Sequence, residues 1–209
     1  MAEKPYVNYQ SCQAGVPGSK KGVVGIRFSL APMCDDFITI ILDAISKVDL
    51  SKVWAKTDAT STVYRGRESA VFDASKACFH HAYRKDVHMM FEMTISKGCP
   101  GDVDADYALE FSDEKVNAAA IEAIHFPVLC KFALYPMGET NYMHVIEKVV
   151  NEAVDRGIFH GTGHYTSFLK GDSHAVLDYL EWVANRVGEE ISHYIIEATI
   201  LCNLPEEDI

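Results

Sequence analysis

Gly25-Ile26-Arg27-Phe28-Ser29-Leu30-Ala31-Pro32-Met33 decides the fold of this chain, because it returns as Lys131-Phe132-Ala133-Leu134-Tyr135-Pro136-Met137. Each copy alternates apolar with polar or small side chains and then breaks at Pro-Met. That pattern is a strand that stops where proline removes an amide donor. A helical pattern follows each copy, Asp36 through Val48 and Tyr142 through Ala153. The echo continues downstream. Phe28 and Phe132 are 104 positions apart; Gly66 and Gly171, Val71 and Val176, His88 and His193, Glu92 and Glu197, and Pro100 and Pro205 are each 105 apart. One net insertion over half a chain marks an internal duplication.

The 209 residues accommodate one large domain or two of about 100 residues each, and the duplication favours two. The first half reads as strand Val23–Ala31, a helix with Phe37, Ile40, Ile41, Ala44, Ile45 and Val48 on its apolar stripe, and strands at Val53–Thr57 and Thr60–Arg65. A second helix follows, bearing Val71, Phe72, Ser75, Cys78, Phe79 and Ala82. The half ends in a strand where Met89, Phe91, Met93 and Ile95 alternate with Met90, Glu92 and Thr94. The order β-α-β-β-α-β then repeats. The expected fold class is α+β, two tandem ferredoxin-like βαββαβ units. Each is an antiparallel sheet with both helices on one face, and two such units can cover each other's open faces. The expected divisions are a loose arm over residues 1–22, a first unit over 23–100, a linker over 101–127, a second unit over 128–202 and an acidic tail over 203–209. The linker should hold a short helix from Glu114 to Ala123, and Asp35 and Asp36 should cap the first helix.

The formal net charge of −11 is spread along the chain. A negative surface argues against nucleic acid and anionic membrane as partners and tolerates a cationic ligand. No stretch approaches the roughly 20 apolar residues of a membrane span, and no basic-then-apolar N-terminus reads as a signal peptide. The six cysteines, Cys12, Cys34, Cys78, Cys99, Cys130 and Cys202, form no CxxC and read as free thiols in a reducing cytosol.

Chemistry is harder to locate. His88, Glu92 and Thr94 recur as His193, Glu197 and Thr199, on strands whose polar side is otherwise an ordinary solvated sheet face. Trp54 and Asp58 suit a flat heterocycle carrying amino groups or positive charge, and equally a core tryptophan and a turn. Met33 and Met137 read as core or as adaptable ligand contacts. Thr62 and Ser167 align at a shift of 105, each placing a hydroxyl on a strand. His80 and His81 point to different helix faces, and His164 and His174 read as isolated surface residues. There is no GxSxG, P-loop, HExxH or Rossmann glycine pattern, so no metal or cofactor is expected.

Further words carry a resemblance: Asp35-Asp36-Phe37-Ile38, Ser51-Lys52-Val53-Trp54, Lys56-Thr57-Asp58, Ser61-Thr62-Val63, Val71-Phe72-Asp73-Ala74 and Gly98-Cys99-Pro100-Gly101-Asp102, then Tyr142-Met143, His164-Tyr165 and Gly171-Asp172. With the duplicated strand words, these resemble the YkoF family of bacterial thiamine/hydroxymethylpyrimidine-binding proteins, over about Gly25 to Leu201. The resemblance implies a non-enzymatic binder, a homodimer, and a thiamine or hydroxymethylpyrimidine site in each repeat. It places contacts at Leu30 and Thr62 in the first repeat and at Leu134 and Ser167 in the second. It also implies a role in uptake or salvage of the pyrimidine, alongside a transporter. Two alternatives stand beside it. One is a pyrimidine-salvage enzyme using His88/Glu92 and His193/Glu197 as acid and base. The other is a regulatory module for a different small ligand.

Overall fold

A computed structural model describes residues 23–98 and 103–204. The expected arm over 1–22 with Cys12, residues 99–102 with Cys99 and Pro100, and residues 205–209 of the expected acidic tail lie outside the described residues. The first repeat comprises β1 (Val23–Pro32), α1 (Phe37–Ser46), β2 (Val53–Thr57), β3 (Thr62–Arg67), α2 (Glu68–Ala82) and β4 (Met89–Lys97). A 3-10 helix (Val103–Glu110) and one turn of helix, α3 (Ala118–Ile121), lead to the second repeat. That repeat comprises β5 (Pro127–Pro136), α4 (Tyr142–Asp155), β6 (Phe159–Gly163), β7 (Thr166–Asp172), α5 (Ser173–Glu190) and β8 (Tyr194–Cys202). The duplicated α+β order is as expected.

How the halves meet differs from the expectation. They do not cover each other's open faces. β4 pairs antiparallel with β8, so both units lie in one eight-stranded antiparallel sheet of order β2-β3-β1-β4-β8-β5-β7-β6. Met93 faces Ala198 across the seam, and these two are each other's counterparts 105 positions apart. The pseudo-twofold axis therefore passes through that pair. Helices pack on one face, with α2 against α5 across the seam. Alternate residues of every central strand, among them Ile26, Phe28, Phe91, Met93, Ile196 and Ile200, are buried beneath them in one continuous core. Stacked aromatic rings are part of that core: Phe79 on Phe91 at 4.9 Å within the first repeat, and Tyr83 on Phe126, just before β5, at 3.9 Å.

The proline breaks act as read. Beyond Pro32 the Met33 amide donates to the His88 carbonyl (2.8 Å), and beyond Pro136 the Met137 amide donates to the His193 carbonyl (2.9 Å). Each recurring histidine thus anchors, through its backbone, the corner where the first strand leaves the sheet. Gly98 ends β4 with φ +86°, and a Cβ there would lie 2.1 Å from the Ser192 carbonyl oxygen. Only glycine combines that conformation with that approach. Its counterpart, Asn203 at φ +52°, uses the side chain most tolerant of the left-handed region and donates to the Arg84 and Val87 carbonyls, both at 2.8 Å.

Local details depart from the expectations in physical ways. Asp36 stands at the N-cap of α1 but its side chain makes no capping bond, whereas Asp172 accepts from the His174 amide at 3.0 Å. The helix expected over 114–123 shrinks to α3. Asn117 is the reason: its amide and side chain both donate to the buried Asp73 carboxylate (2.7 and 2.9 Å), and its side chain also exchanges bonds with the Asp49 backbone. The linker is clamped to the first repeat there. Buried Lys76 of α2 reaches Asp178 (2.5 Å) and Glu181 of α5, tying the repeats together on the helical face.

Candidate functional site

The two Leu/hydroxyl pairs occupy equivalent places. Thr62 lies opposite Phe28, and Leu30 is two residues further along β1 on the same helix-facing side; Ser167 lies opposite Phe132, with Leu134 two further along β5. Beside each pair, the first turn of the following helix presents large apolar side chains to solvent: Phe37 and Ile38 in the first repeat, Tyr142 and Met143 in the second. Met33 and Met137, read as core residues or ligand contacts, are 56% and 42% exposed at the same corners. Exposed apolar groups recurring at matched positions of two repeats make a candidate interaction site rather than scattered surface residues.

In the second repeat these features enclose a cavity of about 640 Å³. Its floor is β5 with Phe132, Leu134 and Pro136. One wall is α4 with Tyr142, Met143, Ile146 and Val150, and the other is the β6–β7 hairpin with Thr162, Tyr165, Thr166 and Ser167. No charged side chain lines it. An apolar hollow of this size with a few hydroxyls has the composition of a small-molecule site. The α4 wall was missed in the sequence, because an apolar stripe on a helix reads as core; the signal was that Tyr142 and Met143 fall in the first turn, beyond the reach of the sheet.

The hydroxyls differ between the repeats. Thr62 is buried, and its hydroxyl is bonded across the hairpin to that of Thr57 at 3.0 Å. The equivalent cross-strand pair is Thr162 and Ser167, and no hydrogen bond joins their hydroxyls. Ser167 is half-buried with its hydroxyl turned to no protein partner among the described residues. The hairpin tips differ too. Asp58 organises the first by accepting from the Thr60 and Ser61 amides and the Thr60 hydroxyl (2.8, 3.0 and 2.7 Å). Arg27 binds the other Asp58 oxygen at 2.8 Å, and these donors hold the carboxyl far below the usual carboxylate range. The second tip is the tight turn His164-Tyr165, with Tyr165 at φ +67°.

The sheet's other face carries the recurring polar residues. Arg27, Thr94 and Glu197 form one cross-strand row, and Glu92, Thr199 and Lys131 form the next. Each glutamate therefore lies beside the other repeat's threonine. The histidines do not join them. His88 precedes β4, and its ring bonds the Cys202 carbonyl at 2.8 Å; His193 precedes β8. Four residues of extended strand put about 13 Å between His88 and Glu92 backbones, too far for a shared proton. Trp54 and Asp58 do share a hollow of about 520 Å³ on this face, with Arg27, Lys56 and Arg65 around them. Asp58 there is already paired with Arg27, so it is not a free carboxylate for a cation.

His174 is not isolated. Its ring donates to the Ile121 and Ile124 carbonyls (3.2 and 3.1 Å) and packs 4.2 Å from the ring of His80 and 4.8 Å from that of His125. His80 is buried between the Lys76 carbonyl (2.8 Å) and the Ser173 hydroxyl (3.0 Å), and burial pushes its pKa down to about 4. Neutral His80 donates from Nδ1 and accepts at Nε2, an anchor between α2 and α5. Burial raises the thiol pKa of Cys78 to about 12 and that of Cys202 to about 11, so both are inert thiols. Among the described residues no three His, Cys, Asp or Glu side chains are grouped to hold a metal ion, and no helix is long and apolar enough to cross a membrane.

Comparison with known proteins agrees with the duplication. The model of the YKOF-related family matches the chain twice, over residues 23–102 and 127–207. A protein of Bacillus subtilis (strain 168), provisionally named the HMP/thiamine-binding protein YkoF, is 43% identical over 183 residues, spanning 88% of this chain and 92% of that protein. Two matches in tandem, each covering one βαββαβ unit, and a relative aligned along nearly its whole length place this chain in the YkoF-related family.

Proposed function

We propose that this protein binds thiamine or its hydroxymethylpyrimidine precursor in each repeat and releases it unchanged, serving uptake or salvage of the pyrimidine in the cytoplasm. The observation that carries the reading is the apolar cavity against Leu134 and Ser167. It is uncharged and of a size for a flat two-ring molecule, and the unpartnered Ser167 hydroxyl meets the donors and acceptors of an aminopyrimidine. Leu30 and Thr62 are the matching contacts of the first repeat. The relative's name points the same way. The separation of His88 from Glu92 speaks for binding over acid–base turnover.

A second copy of the chain is the natural cover for the open sheet face. The Arg27-Thr94-Glu197 and Glu92-Thr199-Lys131 rows set cations and anions on either side of the pseudo-twofold axis, a pattern complementary to itself after rotation. The homodimer and delivery from a transporter belong to the same reading. Equilibrium dialysis against thiamine and against the pyrimidine, followed by mass spectrometry of the recovered ligand, tests it. Retention of unmodified ligand is the expected result. Retention of neither ligand, or recovery of a modified product, contradicts it.

A further inference from the structure

The residue that most distinguishes the two hairpins is Tyr165. It is 96% exposed, the most exposed of the large apolar side chains among the described residues, and its backbone sits at φ +67°. Both facts oppose folding. A bulky side chain rarely adopts the left-handed conformation, and an aromatic ring in water gains nothing from burial. The corresponding position of the first repeat is Thr60, whose amide and hydroxyl are held by Asp58. No comparable bond fixes the Tyr165 side chain among the described residues. It borders the apolar cavity, on the hairpin that also carries Thr162 and Ser167, and on the other side of the same hairpin tip it borders a polar hollow with Glu92, Thr94 and Glu197. Strain of this kind, kept at the rim of a hollow, is characteristic of a ligand contact.

We infer that Tyr165 is the specificity-determining residue of the second-repeat site, its ring turning onto the face of a flat cationic or electron-poor heteroaromatic ligand. The inference rests on the small-molecule reading above and makes the two sites unlike. A tyrosine face attracts a cationic ring electrostatically, and the strand-borne hydroxyl reads its edge. The first repeat can read the edge through Thr62 but has no ring at the equivalent hairpin position. The second site should therefore discriminate more strongly for cationic thiamine over the neutral pyrimidine.

The test compares wild type, Tyr165→Gly and Tyr165→Trp by calorimetric titration with thiamine and with the pyrimidine, beside thermal melts. Glycine relieves the left-handed backbone, so Tyr165→Gly should melt higher than wild type. It should also bind thiamine about 5- to 30-fold more weakly at one of its two sites, as loss of a cation–π contact requires. Tyr165→Trp should recover affinity over the glycine variant, with its indole emission altered by ligand. A rise in melting temperature with a fall in affinity is not what a merely structural residue gives. Wild-type binding with Tyr165→Gly equally tight for both ligands overturns the inference alone. Wild type that takes up neither ligand overturns the binding reading, and the inference with it.

Discussion

The two repeats share a register and differ in how they close their hairpins. Thr57 faces Thr62 as Thr162 faces Ser167, yet the first pair is bonded and the second is not. The first tip is fastened by Asp58, and the second is a strained two-residue turn bearing a solvated tyrosine. The same contrast appears where the last strands end: glycine at 98 under a crowding carbonyl, asparagine at 203 bonded to its neighbours. Duplication has preserved the backbone plan, while side chains at equivalent points hold the fold in one repeat and line the proposed site in the other.

Substitutions at matched positions sharpen this contrast. The largest effect should be Gly98→Ala, which adds a Cβ against backbone and forces a left-handed alanine, costing about 3–5 kcal/mol. Asn203→Gly keeps the conformation and loses two hydrogen bonds, and should cost only about 1–2 kcal/mol. Urea unfolding of both variants checks the order; equal costs would mean that Gly98 is under no more constraint than Asn203 and that the contrast between the strand ends fails.

Next is the buried anchor between the repeats. The His80 pKa falls to about 4 on folding, from an ordinary value near 6.5. The unfolded chain therefore binds more protons between those values, and stability is full above about pH 6.5 and lost as pH falls towards 4, by roughly 3 kcal/mol in all. Unfolding free energies at pH 7.5, 6 and 4.5 should show that slope in wild type, and a shallower one in His80→Gln. A slope unchanged by the substitution would assign the acid sensitivity to other groups.

The smallest effect on stability should come from the hydroxyls, and it should be one-sided. Thr62→Val breaks the bond to Thr57 and should cost about 1 kcal/mol of stability as well as affinity at the first site. Ser167→Ala breaks no bond within the protein, so it should melt with wild type and weaken only the second site, by about 5- to 150-fold. Melting curves beside titrations separate the two. Equal destabilisation would show that the hydroxyl pairs are not the difference between the repeats.

Much of this architecture was legible in the chain. Alternation and the Pro-Met breaks located the strands, and the constant shift revealed the repeat. The joining of β4 to β8 was not legible, because alternation says which face a residue takes and not which strand lies beside it. Nor was the loss of the linker helix to the Asn117–Asp73 clamp, a contact between residues 44 positions apart. His174 was misread for the same reason, since its partners Ile121, Ile124 and His80 are remote in sequence. At the candidate site, the family words pointed to Leu134 and Ser167. The α4 wall and Tyr165 emerge only when a helix turn and a hairpin are set on either side of β5.

The central claim is that each repeat carries a binding site and that the two are unequal. Isothermal titration of the intact chain with thiamine tests it most directly. The account predicts two sites per chain of different affinity, one weakened by Thr62→Val and the other by Ser167→Ala. A single site per chain, or two sites that both substitutions leave untouched in folded protein, would contradict it.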